Sequence, residues 1–228
     1  MSMQQMGNYF VDIVMCIDAT GSMAPIIKEV KDNALSFHEK FLKSMEESGK
    51  GVAQVRVKVI AFRDYGYDQD AMEESQFFVL PDQNEEFRSF VNGIEAKGGG
   101  DKPENALEAI ALALKSDWTT GGSKRRHAVL VFSDAPALPL GARASAEHYP
   151  ADMPADIAEL AAWWENTDQS FVGTYQAKAG RLIAFVPNAE PWTEITTWNR
   201  YWPAFSAAGT GLEEVDIQSA IDLMVGSF

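Results

Sequence analysis

The side chains best suited to chemistry in this sequence are oxygen donors gathered at the ends of apolar runs. VDIVMCIDATGSM breaks off at Asp18 and then sets hydroxyls at Thr20 and Ser22. In an extended chain alternate side chains point the same way, so this spacing turns three oxygen-bearing groups to one side. Gly21 between the hydroxyls lets the backbone bend without a Cβ penalty. GGGDKPE, residues 98–104, adds Asp101 and Glu104, and HAVLVFSDAP ends on Ser133 and Asp134. Carboxylates and hydroxyls without His or Cys make a hard oxygen site, suited to Mg²⁺, Mn²⁺ or Ca²⁺ rather than zinc or copper.

Each segment also has a plainer structural use. Ser22 is placed to cap a following helix with Pro25 in its first turn. Asp101 and Glu104 have the spacing of a capping box around Pro103. Asp134, before Ala135 and Pro136, fits an ordinary turn acid. Their joint arrival at strand ends is what favours a cation site.

The elements that must position these groups follow from periodicity. YFVDIVMCI and HAVLVF are near-continuous apolar runs of the kind buried on both faces of a parallel sheet. VRVKVIAF alternates at period two, FFVLP reads as a short edge strand ended by Pro81, and RLIAFVP and PAFSAAG supply further strands. Between them, IIKEVKDNALSFHEKFLKSM carries Ile26, Val30, Leu35, Phe37, Phe41 and Leu42 on a helical stripe. NALEAIALALKSDW places Leu107, Ile110, Ala111 and Leu114 at helical spacing. EEFRSFVNGI, DIAELAAWW, PWTEITTWNRYW and VDIQSAIDLMV complete the helices, the last with Val215, Ala220, Ile221, Met224 and Val225 toward the sheet. Trp163 and Trp164 are expected to divide into one core residue and one lid residue. Strands alternating with helices predict a doubly wound, mostly parallel α/β sheet with helices on both faces. Functional residues in such sheets gather beyond the carboxyl ends of the strands, where these oxygen donors fall.

Composition narrows the partners. With 228 residues, 46% of them hydrophobic, the chain reads as a single domain with its core over about 9–225 and a surface excursion over about 136–154. Lys+Arg 19 against Asp+Glu 33 gives −14, which disfavours nucleic acid and anionic membrane surfaces. No run approaches the roughly 18 apolar residues of a membrane span, and MSMQQMGNYF lacks the pattern of a secretory leader. Cys16 is the one cysteine, expected as a small core residue, and the whole fits a cytoplasmic protein.

Asp18-x-Thr20-x-Ser22, the acidic loop at Asp101 and the strand-end Asp134 resemble the metal-ion-dependent adhesion site of von Willebrand factor A domains, over a span from about Tyr9 to Val225. The resemblance implies a Rossmann-like, six-stranded sheet with one antiparallel edge strand and a divalent cation at its top. It also implies a protein partner whose acidic side chain completes the metal coordination, and a final helix that moves on ligation. Carried over by position, Asp18, Thr20 and Ser22 form the first metal loop and Asp134 the third. In the second loop many members have Thr, whereas DKPE offers Asp101 or Glu104, similar to the DxPE segment of integrin β-subunit domains. By that likeness Glu104 is a ligand and Asp101 serves a neighbouring cation. AFRDYGY, GGGDKPE and SDAP with the later YPADMPAD resemble the intracellular branch associated with atypical kinases and bacterial stress-response clusters.

Arg63 and Asp64, at a strand end, are read either as supports for the site or as a salt-bridged pair. The rival function is a metal-dependent phosphatase or hydrolase using Asp18 as nucleophile. Such phosphotransferases want a second Asp two residues on, where this chain has Thr20, and His38, His127 and His148 stand beside no nucleophile motif. A phosphate cradle at GGGDKPE matches neither glycine-rich fingerprint. The expectation is therefore a non-catalytic, metal-dependent protein-interaction module that acts as a scaffold or regulator.

Overall fold

The computed structural model describes residues 8–100, 102–206 and 217–228. The strand β1 (Tyr9–Asp18) is flanked by two parallel neighbours, β2 (Val52–Phe62) and β5 (Lys124–Phe132). β5 in turn pairs in parallel with β6 (Gly180–Pro187), and β6 with β7 (Tyr201–Ser206). On the far side β2 carries two short antiparallel strands, β3 (Met72–Glu74) and β4 (Phe78–Leu80). These bind different stretches of β2, Ile60–Phe62 and Val55–Val57, so the antiparallel edge is one position broken in two. The expected parallel α/β architecture is present, among the described residues six positions wide with seven strand segments.

Period two on β1 splits the core into two layers. Val11, Ile13, Met15 and Ile17 face α1 (Ile27–Glu47), α2 (Asn84–Gly93) and α5 (Ile217–Gly226). Val14 and Cys16 face α3 (Ala106–Leu114) and α4 (Ile157–Trp164). Burial on this scale is the main favourable contribution to folding, about 25 cal/mol per Å² of apolar surface removed from water. Cys16 is buried as expected, and burial pushes its thiol pKa up, which makes it inert. Trp163 and Trp164 are both buried, so the division into core and lid residues does not hold: Trp164 stacks on Tyr175, and Trp163 Nε1 donates to Asp168 Oδ2 at 3.0 Å.

Two long-range devices bear on the ends of the sheet and its covering helices. The segment from Pro136 to Pro154 forms turns rather than helix or strand, and it is pinned over the end of β2. Arg143 donates to both oxygens of Asp64 at 2.7 Å, Tyr149 Oη donates to Glu108 Oε1 at 3.0 Å, and His148 Nε2 bonds the Asp68 carbonyl at 2.7 Å. At the closing helix Ala220, Ile221, Met224 and Val225 are buried as expected, while Val215 lies outside the described residues. Polar ties also hold this helix: Lys50 Nζ donates to the Val225 carbonyl at 2.6 Å and Arg181 Nη2 to that of Ser227 at 2.7 Å. Among the described residues no helix is long and apolar enough to cross a membrane.

Candidate metal centre

β1 ends where its apolar run stops, and the chain turns through a short 3-10 segment, Gly21–Met23, before α1 begins. Asp18 is fully buried at that end, and both of its oxygens are engaged. Oδ1 accepts from the Thr20 backbone N at 3.0 Å and from Thr20 Oγ1 at 2.7 Å, while Oδ2 accepts from Ser133 Oγ at 2.6 Å. Ser22 Oγ donates to Asp134 Oδ1 at 2.9 Å and lies 3.1 Å from Thr20 Oγ1. Each hydroxyl has a single proton. With those protons turned to Asp18 and Asp134, the Thr20 and Ser22 oxygens meet with lone pairs only, and Ser22 is exposed to solvent. Neither hydroxyl caps a helix: the N-cap of the 3-10 segment is Thr20, without a side-chain bond.

The glycine loop closes over this group. Lys97 N donates to the Ala19 carbonyl at 2.9 Å, and Gly21 N to the Gly98 carbonyl at 3.1 Å. Gly98, Gly99 and Gly100 all have positive φ, a region that side-chain-bearing residues enter at a cost. At Gly99 there is also no room, because an added Cβ would stand 2.7 Å from Thr20 Cβ and 3.0 Å from Glu104 Oε1. Arg63, fully buried, donates from Nε to the Ala19 carbonyl at 3.1 Å and from Nη2 to that of Glu95 at 2.8 Å. It does not pair with Asp64, which is held by Arg143. Arg63 thus staples the first and second loops together while Asp64 holds the excursion.

Glu104 completes the cluster. Its backbone forms an isolated bridge to Ala137, with Glu104 N donating to the Pro136 carbonyl at 3.1 Å and Leu138 N to the Glu104 carbonyl at 2.7 Å. α3 begins at Ala106, with Asn105 at its N-cap, so Glu104 lies ahead of the helix rather than in its first turn. Asp101 itself lies outside the described residues. Glu104 is 2% exposed, and its Oε2 has no hydrogen-bond partner among the described residues. Burial, then the charges of Asp18, Asp64, Asp68 and Asp134, push its pKa up to about 9. Burial likewise raises Asp18 to about 6, against the lowering effect of the Ser133 and Thr20 hydroxyls.

The chemistry of this donor set fits a hard divalent cation: carboxylates, outward lone pairs and a buried carboxylate oxygen lacking a partner. Among the described residues no three His, Cys, Asp or Glu side chains gather closely enough to hold a metal by themselves, so the hydroxyls are indispensable to it. Among the described residues a cation already touches the cluster: Lys102 Nζ donates to Asp134 Oδ2 at 2.6 Å. Hydrogen bonds tie Thr20 to Asp18 and Ser22 to Asp134, the two hydroxyl oxygens lie 3.1 Å apart, and Glu104 borders the group across Gly99. Sequence reasoning passed over Lys102 and also Asp68, whose Oδ2 accepts from Gly99 N at 2.8 Å. The acid-rich RDYGYDQD run was the available signal for Asp68.

Residues 12–140, more than half of the chain, match the von Willebrand factor A domain family. The chain belongs to that family. A domains are commonly protein-interaction modules, and the matched span contains Asp18, Thr20, Ser22, Glu104 and Asp134. The Alpha-protein kinase vwkA of Dictyostelium discoideum is 26% identical to this A domain over 147 residues, 64% of this chain and 22% of that protein. Among solved structures, the pilus adhesin SpaC from Lactobacillus rhamnosus GG superposes with a TM-score of 0.54 at 12% identity, covering 98% of this chain and 31% of that one. Proximal thread matrix protein 1 from the mussel byssus gives 0.50 at 14% identity, covering 95% and 48%. At such identities the likeness is one of fold, and this A domain spans less than half the length of each of these relatives.

Proposed function

We propose that this A domain is a non-catalytic docking module that binds a partner protein through a divalent cation, Mg²⁺ or failing that Mn²⁺ or Ca²⁺, held at the carboxyl end of the sheet. The observation that carries this reading is the unpartnered, buried Glu104 oxygen beside hydroxyls whose protons are already committed to Asp18 and Asp134. Asp18, Ser22 and Asp134 would hold the cation, with Thr20 and Glu104 directly or through water. When bound, the cation supplies an open position for a carboxylate of the partner. The chain's own part is orientation: Ser133 fixes Asp18, Arg63 ties the first loop to the segment before the glycines, and exposed Ser22 leaves the approach open.

Several features support binding over catalysis. Both Asp18 oxygens are occupied by hydroxyl and backbone donors, and the position where a phosphotransferase carries its second acid is Thr20. His127 and His148 are engaged with the carbonyls of Thr119 and Asp68. The kinase relative suggests a partner in a phosphorylation pathway, and the single cysteine with an acidic surface suits a cytoplasmic setting. Titration calorimetry of chelator-stripped protein with Mg²⁺, Mn²⁺ and Ca²⁺ tests the reading. Binding heat in the wild type and none in Asp18→Ala is expected, and equal heat in both would refute it.

A further inference from the structure

A second recognition surface lies on the other side of the segment that carries Asp134. The loop leaving β5, the start of α4 and the 3-10 turn Glu194–Thr197 enclose a groove of about 300 Å³. Its floor is apolar: Leu107, Ala137 and Leu140 are 1%, 6% and 8% exposed and belong to the core layer on the α3 face, so the groove opens directly onto that core. Its rim is acidic, formed by Asp156, Glu190 and Glu194, and no Lys or Arg lines it. Asp156 has structural work, accepting at Oδ1 from Ala158 N and Glu159 N as the N-cap of α4. Glu190 and Glu194 are exposed and, among the described residues, pair with no cation.

Folding alone gives no reason to ring an apolar depression with carboxylates that repel one another. A bound segment with apolar side chains on the floor and basic side chains at the rim would remove apolar surface from water and neutralise that repulsion. We infer that this groove docks a cationic, apolar segment of a partner protein, with one or more large aliphatic or aromatic side chains flanked by Lys or Arg. The other occupants fit less well. A second copy carries the same −14 charge, and a nucleic acid or an anionic membrane would be repelled by the rim. The groove asks for positive charge where the metal centre asks for a carboxylate, so the two surfaces read different features of a partner. They share one segment, since Asp134 serves the first and Ala137 the second.

The test is selection from a random peptide library displayed on phage, against the whole chain in EDTA so that the metal reading stands or falls separately. Selected peptides should combine Lys or Arg with Leu, Ile, Phe or Met, and synthetic versions should bind by fluorescence anisotropy. Affinity should fall about tenfold or more in the double variant Glu190→Lys/Glu194→Lys, in Ile157→Ser and in high salt. Glu190 and Glu194 are exposed, so an unchanged melting temperature of the double variant shows that the fold is intact. No enrichment, acidic or uncharged consensus peptides, or equal binding by the double variant would overturn the proposal. So would sedimentation showing that the same variant abolishes a homodimer, because a second copy would then be the occupant.

Discussion

Asp12 and Asp18 stand on the same face of β1, six residues apart, and both are buried, but the chain surrounds them in opposite ways. Asp12 receives Arg56 Nε at 2.8 Å and Nη2 at 2.7 Å, Thr119 N at 2.6 Å and Thr119 Oγ1 at 3.2 Å. Nearby, neutral His127 stacks on Trp118 with ring centroids 4.8 Å apart, bonds the Thr119 carbonyl through Nε2 and accepts from Gln176 N at Nδ1. A permanent guanidinium and a full set of donors leave this end nothing to recruit. Asp18 meets only hydroxyls and a backbone N–H, in company with Asp134 and the unpartnered Glu104. Burial of an acid therefore does not mark function here; what distinguishes the two ends is whether the charge is already answered.

The strongest attempt to break this contrast is Asp12→Ala. It leaves Thr119 N and Arg56 Nε without their partner, while Nη2 keeps only the Asp117 carbonyl, and should cost about 3–5 kcal/mol of stability in urea melts. Metal affinity should not change. If Asp12→Ala were mild, Asp12 would not be the anchored member of the pair.

Glu104→Gln should do the reverse and stabilise the metal-free protein at alkaline pH by an amount on the order of 1–3 kcal/mol, while abolishing stabilisation by Mg²⁺. The sign follows from the raised pKa: folded Glu104 holds its proton up to about 9, whereas the unfolded group releases it near 4.5. Stability in EDTA is therefore lost as pH climbs through that window, and Asp18 adds a smaller loss between 3.8 and about 6. Melting temperatures of wild type and Glu104→Gln across the pH range would show this slope shrinking in the variant.

The opposite end should titrate the opposite way. Burial lowers His127 to about 4 from an ordinary 6.5, so the unfolded chain takes up a proton that the folded one refuses. Stability is then lost as pH falls from 6.5 toward 4, by about 1–3 kcal/mol over the window. A His127→Asn variant should be less stable at neutral pH but nearly insensitive to pH there. An unaltered acid limb in that variant would assign the limb to other groups.

The smallest effect belongs to Lys102→Met. An entering cation competes with the Lys102 ammonium for Asp134, and Lys102 is 42% exposed, so its removal should raise divalent-metal affinity only about fivefold by calorimetry. Weaker metal binding in the variant would mean that Lys102 supports the site.

The sheet was legible because its central strands are nearly continuously apolar: a run such as AVLVF buries both faces and leaves little choice of partner. The oxygen donors were legible because a strand end followed by period-two hydroxyls fixes their direction before any tertiary contact forms. FFVLP was legible as an edge strand, but the other piece of that edge was not. Met72–Glu74 carries two acids and no alternation, and it becomes a strand only through its register with Ile60–Phe62. Equally hidden was the bridge of Glu104 with Ala137, far along the chain, whereas the start of α3 beside Asn105 was legible. The Lys102–Asp134 and Asp68–Gly99 contacts are likewise products of loops meeting in space, which local spacing does not encode. Trp163 and Trp164 misled because adjacent helical residues normally diverge, whereas here the chain around Asp168 and Tyr175 folds back to cover both.

Among the described residues β7 forms one border of the sheet, and Pro203 sits in the middle of it. A border strand with a full row of N–H groups is a template on which another chain can polymerise. Proline contributes no donor, and so interrupts that row at its centre. On the opposite border the strand is cut into two three-residue pieces, each too short to seed a fibril-like ladder. Both flanks of this A domain's sheet are thus protected against pairing with a second copy.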